Sequence, residues 1–114
     1  MDVGNIEGRW TGTGIDVERF EIELTIDKSN VLGRGAPVGN IRYNGKALRG
    51  VCNQSLVVLS VDDPIYTLYE TGSDCPAGTV RLKLLSAGEL AYTFDLGYGN
   101  PAPDATGSLK RVSQ

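Results

Sequence analysis

Five tyrosines and no histidine set the chemistry open to this chain. Without an imidazole there is no ordinary proton shuttle near neutral pH, which excludes Ser/His/Asp and Cys/His nucleophilic sets. Tyrosine instead supplies a large rigid face with a hydrogen-bonding tip, suited to a ligand mouth or a partner surface. Tyr66 and Tyr69 fall on opposite faces of the segment from Ile65 to Glu70, so one points inward and one outward. Tyr98 stands near Asn100 and Asp104 in the run Gly97 to Asp104, where two Gly and two Pro in eight positions exclude a regular strand or helix. A loop of that kind on a rigid scaffold is a binding element, and Tyr98, Asn100, Asp104, Tyr66 and Tyr69 are the candidate ligand-binding residues.

Other constellations carry less. The run from Gly33 to Gly39 is glycine-rich, but it neither follows a buried strand nor opens a helix, as a phosphate cradle must, and it reads as flexible or bulge glycines. Glu21 and Glu23 lie on the polar face of an alternating strand, a solvated surface expected to meet Arg81 or Lys83 across the sheet. Asp62, Asp63 and Asp74 lack calcium-loop spacing, and two cysteines without histidine are too few soft ligands for a metal site. No catalytic residue, metal or cofactor is therefore assigned, and the chain is read as a non-enzyme.

Cys52 and Cys75 stand 23 positions apart. Either they bridge, which would stabilise by about 3 kcal/mol in the chain-entropy model and imply an extracytoplasmic home, or they are two unrelated thiols of a cytosolic protein. The formal charge of -3 argues against nucleic acid, whose binders carry a basic stripe. No apolar run reaches the roughly 20 residues of a membrane-spanning helix, so no membrane insertion of this segment is expected. Met1-Asp2-Val3 offers neither the basic start nor the apolar core of a signal peptide. An extracytoplasmic home then expects a targeting or anchoring segment upstream.

The elements that must position these residues are strands. Phe20, Ile22, Leu24 and Ile26 alternate with Arg19, Glu21, Glu23 and Thr25; Val80, Leu82 and Leu84 repeat the pattern, as do Leu90, Tyr92, Phe94 and Leu96. Leu56 to Val61 is apolar on both faces and reads as a strand beneath a loop or through an interface. Asn44-Gly45 between Ile41-Arg42-Tyr43 and Lys46-Ala47-Leu48 predicts a tight primed turn. Asp27 to Asn30, Asp62-Asp63-Pro64 and Ser86 to Glu89 predict further hairpin turns. Fifteen glycines and no helical period predict an all-β domain over residues 1–114, an antiparallel meander of about eight strands closing into a small barrel. Trp10 on the first strand is expected to plug one end, with Arg111 of the last strand across its indole.

The succession Gly8-x-Trp10-x-Gly12, Phe20 with Leu24-Thr25-Ile26, Gly39 with Tyr43, Cys52 before Leu56, Tyr69-Glu70-Thr71, Cys75, Gly78 with Val80, Leu82 and Leu84, Leu90-x-Tyr92 and Gly107-x-Leu109-x-Arg111 spans nearly the whole chain. It resembles small bacterial extracytoplasmic β-domains found as tails on membrane-spanning Ser/Thr kinases and in lipoproteins. The chain departs from that pattern at Asn53-Gln54, where a small residue and Gly are usual. The resemblance implies an outward-facing module with Cys52 and Cys75 bridged and no established catalytic activity. A weaker similarity, through Gly8, Trp10 and Arg111, is to lipocalin- and avidin-like barrels, and implies a ligand inside the barrel.

Two functions follow. One is an extracytoplasmic ligand-binding or sensory module taking a small molecule or a cell-envelope fragment. The other is a protein-interaction module, such as a secreted inhibitor or assembly domain, using an edge strand or the loop from Gly97 to Asp104. A cavity larger than about 300 Å³ inside the barrel favours the first, and a filled interior with an exposed apolar patch the second.

Overall fold

Strict apolar/polar alternation gives each strand one face to bury, and eight such strands bury those faces by closing on themselves. In the computed structural model, which describes residues 1–45, 50–97 and 102–113, the strands are β1 (Gly8–Ile15), β2 (Arg19–Ile26), β3 (Pro37–Gly45), β4 (Gly50–Asp62), β5 (Ile65–Thr71), β6 (Thr79–Ser86), β7 (Glu89–Asp95) and β8 (Ala105–Ser113). Each pairs antiparallel with the next, and β8 returns to β1, so the sheet is a closed barrel. Closure leaves the described strands without a free edge. The edge-strand contact expected of an interaction module is therefore withdrawn, because the hydrogen-bonding groups of β1 that would recruit a partner are taken up by β8.

The two barrel ends differ. A single 3-10 turn, Gly4–Ile6, crosses one end and seats Ile6 among the core side chains. Trp10 lies beneath it, fully buried, its indole N–H donating to the Ile6 carbonyl at 3.0 Å. Arg111 is directly opposite Trp10 in the β1–β8 ladder, and its guanidinium carbon stands 4.2 Å from the indole centroid. The same guanidinium donates to the carbonyls of Asn5, Glu7 and Ala87, tying the 3-10 turn and the β6–β7 turn to the closing strand. Arg111 lies across the plug as the sequence led us to expect, and the same cation also satisfies three carbonyls, which the sequence did not indicate.

Among the described residues, the other end is formed by the β1–β2 turn, residues 72–78, residues 96–97 and residues 102–104. Disulfide-linked Cys52 and Cys75, with Cα atoms 5.8 Å apart, fasten residues 72–78 to β4 there. The backbone N–H of Asn53 donates to Asp74 at 3.1 Å and reinforces the attachment.

Four expectations need correction. Asn44 and Gly45 are not a turn: they pair with Val51 and Gly50 at the end of β3, so the ladder runs two residues further. The connection is 46–49, and the expected strand Lys46-Ala47-Leu48 lies outside the described residues. Glycine serves packing there, since a Cβ on Gly45 would stand 2.8 Å from the Phe20 Cβ. Asp27 to Asn30 is no tight hairpin either, because β2 and β3 are joined by residues 27–36, with Val31 buried and Asn30 bridging to Asp2. Glu23 meets Arg42 of the adjacent β3, at 3.1 Å, rather than Arg81 or Lys83. Finally, β4 is not buried on both faces. A bulge between Val58 and Ser60 reverses its phase, so Leu56 and Val58 point inward before it and Val61 turns toward the core after it.

Candidate functional site

The open end holds a pocket of about 290 Å³ lined by Asp16, Phe20, Tyr43, Glu70, Cys75, Pro76, Tyr92, Phe94, Leu96 and Ala105. That is just short of the roughly 300 Å³ at which small-molecule sites begin, and so does not exceed the volume expected of a ligand-binding barrel. Strand parity explains how its floor arises. In β5 the side chains of Tyr66, Leu68 and Glu70 all face inward, so the same alternation that buries a leucine also buries a carboxyl group. In β4 the inward series Cys52, Gln54, Leu56 likewise buries an amide.

Glu70 is only 1% exposed and ends a hydrogen-bond chain that comes from two other strands. The Tyr43 hydroxyl of β3 donates to its Oε2. The Tyr92 oxygen of β7 lies 2.7 Å from that of Tyr43, and since the Tyr43 proton is committed to Glu70, Tyr92 is the donor. The Gln54 amide of β4 donates to the Cys75 carbonyl at 2.8 Å, leaving its Oε1 buried without a partner. Burial pushes the Glu70 carboxyl up to about 7, against the opposing pull of the Tyr43 hydroxyl and the nearby Gln54 amide. Burial likewise holds both phenols, Tyr43 and Tyr92, above the ordinary tyrosine range, so they stay neutral at physiological pH.

The ring planes are steeply inclined: Phe20 to Tyr43 at 75° with centroids 5.7 Å apart, and Tyr43 to Tyr92 at 62° and 6.3 Å. They form walls around the carboxyl instead of a stack. Residues 72–78 complete the rim. Gly72 enters that segment at φ 132°, and a Cβ there would stand 2.6 Å from Gln54 Oε1, so this position admits glycine alone.

Of the candidate ligand-binding residues singled out from sequence, none described is in this pocket's lining; Cys75, singled out for the bridge, is. Tyr66 is buried as one of the pair had to be, but at the start of β5, at the closed end, where it lines a small hollow with Asn5. Tyr69 points outward and is 38% exposed on the barrel wall. Asp104 acts on the rim from behind: its carboxylate accepts the Leu96 N–H at 2.7 Å and its own N–H donates to the Phe94 carbonyl at 2.8 Å. Tyr98 and Asn100 lie outside the described residues. Sequence reading missed Tyr43, Glu70, Tyr92, Phe20, Phe94 and Asp16. The signal for Glu70 was present, an acid at an inward parity position two residues past Leu68.

Comparison with known proteins gives no match: no family model, no curated protein and no solved structure matches this chain. The site therefore rests on its own geometry.

Proposed function

We propose that the protein is an extracytoplasmic ligand-binding or sensory module without catalytic activity, of the kind carried as outward-facing tails by membrane-spanning kinases and lipoproteins. It takes a small molecule or cell-envelope fragment at the open end of the barrel. The observation carrying this reading is the asymmetry of the two ends. At one, Trp10 fills the interior beneath Arg111 and the hollows lie outside it, beside Asn5 and Arg111, whereas at the other about 290 Å³ of space stands above a buried carboxyl and two phenols. A barrel built only as a scaffold gains nothing from holding Glu70 inside, where an apolar side chain of similar volume would be less costly. The Cys52–Cys75 bridge supports the extracytoplasmic part, since such bridges persist in oxidising compartments.

A protein-interaction role has one observation in its favour. Ile15 and Val17, beside the same mouth, are 57% and 95% exposed. Native mass spectrometry of freshly purified protein tests the two together. A co-purified small mass released on denaturation is expected for ligand binding, whereas an empty monomer that captures a protein through a surface abolished by Val17→Asp would overturn it.

A further inference from the structure

The polarity of the mouth pocket restricts what can enter it. Its described lining contains two carboxyl groups, Asp16 and Glu70, and no Lys or Arg. The hydrogen-bond chain has a direction: Tyr92 donates to Tyr43 and Tyr43 to Glu70, so both phenolic protons run inward to the carboxylate. Each hydroxyl has one proton, so what the floor has left to offer is lone pairs. A ligand seated there must bring donors, and an anion would meet only like charge and acceptors. The surrounding rings, Phe20 of β2, Tyr43 of β3, and Tyr92 and Phe94 of β7, supply faces that attract positive charge while covering an apolar body.

We propose that the pocket binds a small protonated primary amine carried on an apolar or aromatic body, its ammonium donating to the Glu70–Tyr43–Tyr92 floor and its body enclosed by Phe20, Phe94, Leu96 and Pro76. This deepens the ligand-binding reading and rests on it. Asp16 at the β1–β2 turn, its Oδ1 holding the Glu18 N–H at 2.8 Å, adds a second negative charge at the rim. The groups around Glu70 are the neutral phenol of Tyr43 on β3, with that of Tyr92 on β7 behind it, and the neutral amide of Gln54 on β4, and Asp16 is the other carboxyl in the pocket's described lining. Occupancy is therefore governed by the carboxyl itself: the amine binds its ionised form, so affinity rises with pH up to about 7 and levels above it.

Benzylamine, benzyl alcohol and benzoate, matched in size and differing in charge, test this by titration into ¹⁵N-labelled full chain at pH 6 and pH 8. At pH 8 benzylammonium should bind at least tenfold more tightly than benzyl alcohol, shifting amides at Tyr43, Glu70 and Phe94, and benzoate should not bind. Its affinity should weaken several-fold at pH 6 while that of benzyl alcohol is unchanged. Glu70→Gln should abolish the charge preference. Should that variant not fold, Asp16→Asn, an exposed change, should still lower amine affinity about threefold without touching benzyl alcohol. Benzyl alcohol or benzoate binding as well as the amine would overturn the cation assignment and leave the pocket reading standing. If no probe shifts mouth resonances and native mass spectrometry releases no ligand, both fall.

Discussion

Tyr43 and Glu70, 27 residues apart in sequence, meet inside the barrel with the phenol donating to the carboxyl, and a second phenol, Tyr92, stacks a further hydrogen bond behind it. The carboxyl group is withdrawn from water at the cost of its charge, and its ionisation is displaced to about 7. Stability and binding must both register that displacement.

Stability should fall as pH rises. Glu70 holds its proton in the folded state up to about 7 but loses it near 4.5 when unfolded. Between those values the folded state binds more protons, so the free energy of unfolding declines across the window, by on the order of 3 kcal/mol from this group, and levels above it. Urea denaturation from pH 4 to 8 should show the decline, and Glu70→Gln should remove it, leaving the variant the more stable form at pH 8. Superimposable profiles for the two proteins would show that Glu70 is not the titrating group.

Trp10→Ala should cost about 3 to 5 kcal/mol, because a fully buried indole is deleted beneath a turn that cannot collapse into the space. Arg111→Lys should cost less but still register, since one ammonium cannot reproduce a planar fork donating to Asn5, Glu7 and Ala87. Chemical denaturation of both variants measures the order, and an Arg111→Lys effect equal to that of Trp10→Ala would place the energy in the carbonyl network.

Reduction of Cys52–Cys75 should destabilise the fold by about 3 kcal/mol, the loop-closure value for a 23-residue separation. The effect should reach the mouth, since Cys75 and Pro76 form one wall of the pocket. The Cys52→Ala/Cys75→Ala double variant should therefore lose ligand affinity as well as melting temperature. Full affinity in the folded fraction would show that the wall holds without its bridge.

Asp104→Ala should cost about 1 to 2 kcal/mol by leaving the Leu96 N–H without its acceptor. Hydrogen exchange at Leu96 should accelerate accordingly. If stability and exchange are unchanged while binding is lost, Asp104 touches ligand directly, as its place in a Gly- and Pro-rich run first suggested.

Strand parity is local, so the barrel could be read from the chain. Alternation in Arg19–Ile26 and Thr79–Ser86 requires sheet with one buried face, and the tight turns at Asp63-Pro64 and Ala87-Gly88 require neighbouring strands to be antiparallel. Trp10 with Arg111 and Cys52 with Cys75 were legible because plugs and bridges use residue types with few other purposes. Register is not local. Whether Asn44-Gly45 turns or continues depends on Val51 and Gly50 across the ladder and on the bulk of Phe20 above it, and the phase of β4 depends on a bulge that no single residue announces. The site depends on register throughout. Closure brings Phe20, Tyr43, Glu70 and Tyr92 to the same depth from four strands, whereas Tyr66, four residues from Glu70 on the same face, is carried to the opposite end by the rise of one strand. Residue type and alternation decided which side chains are inside, and only the closed sheet decided which of them meet.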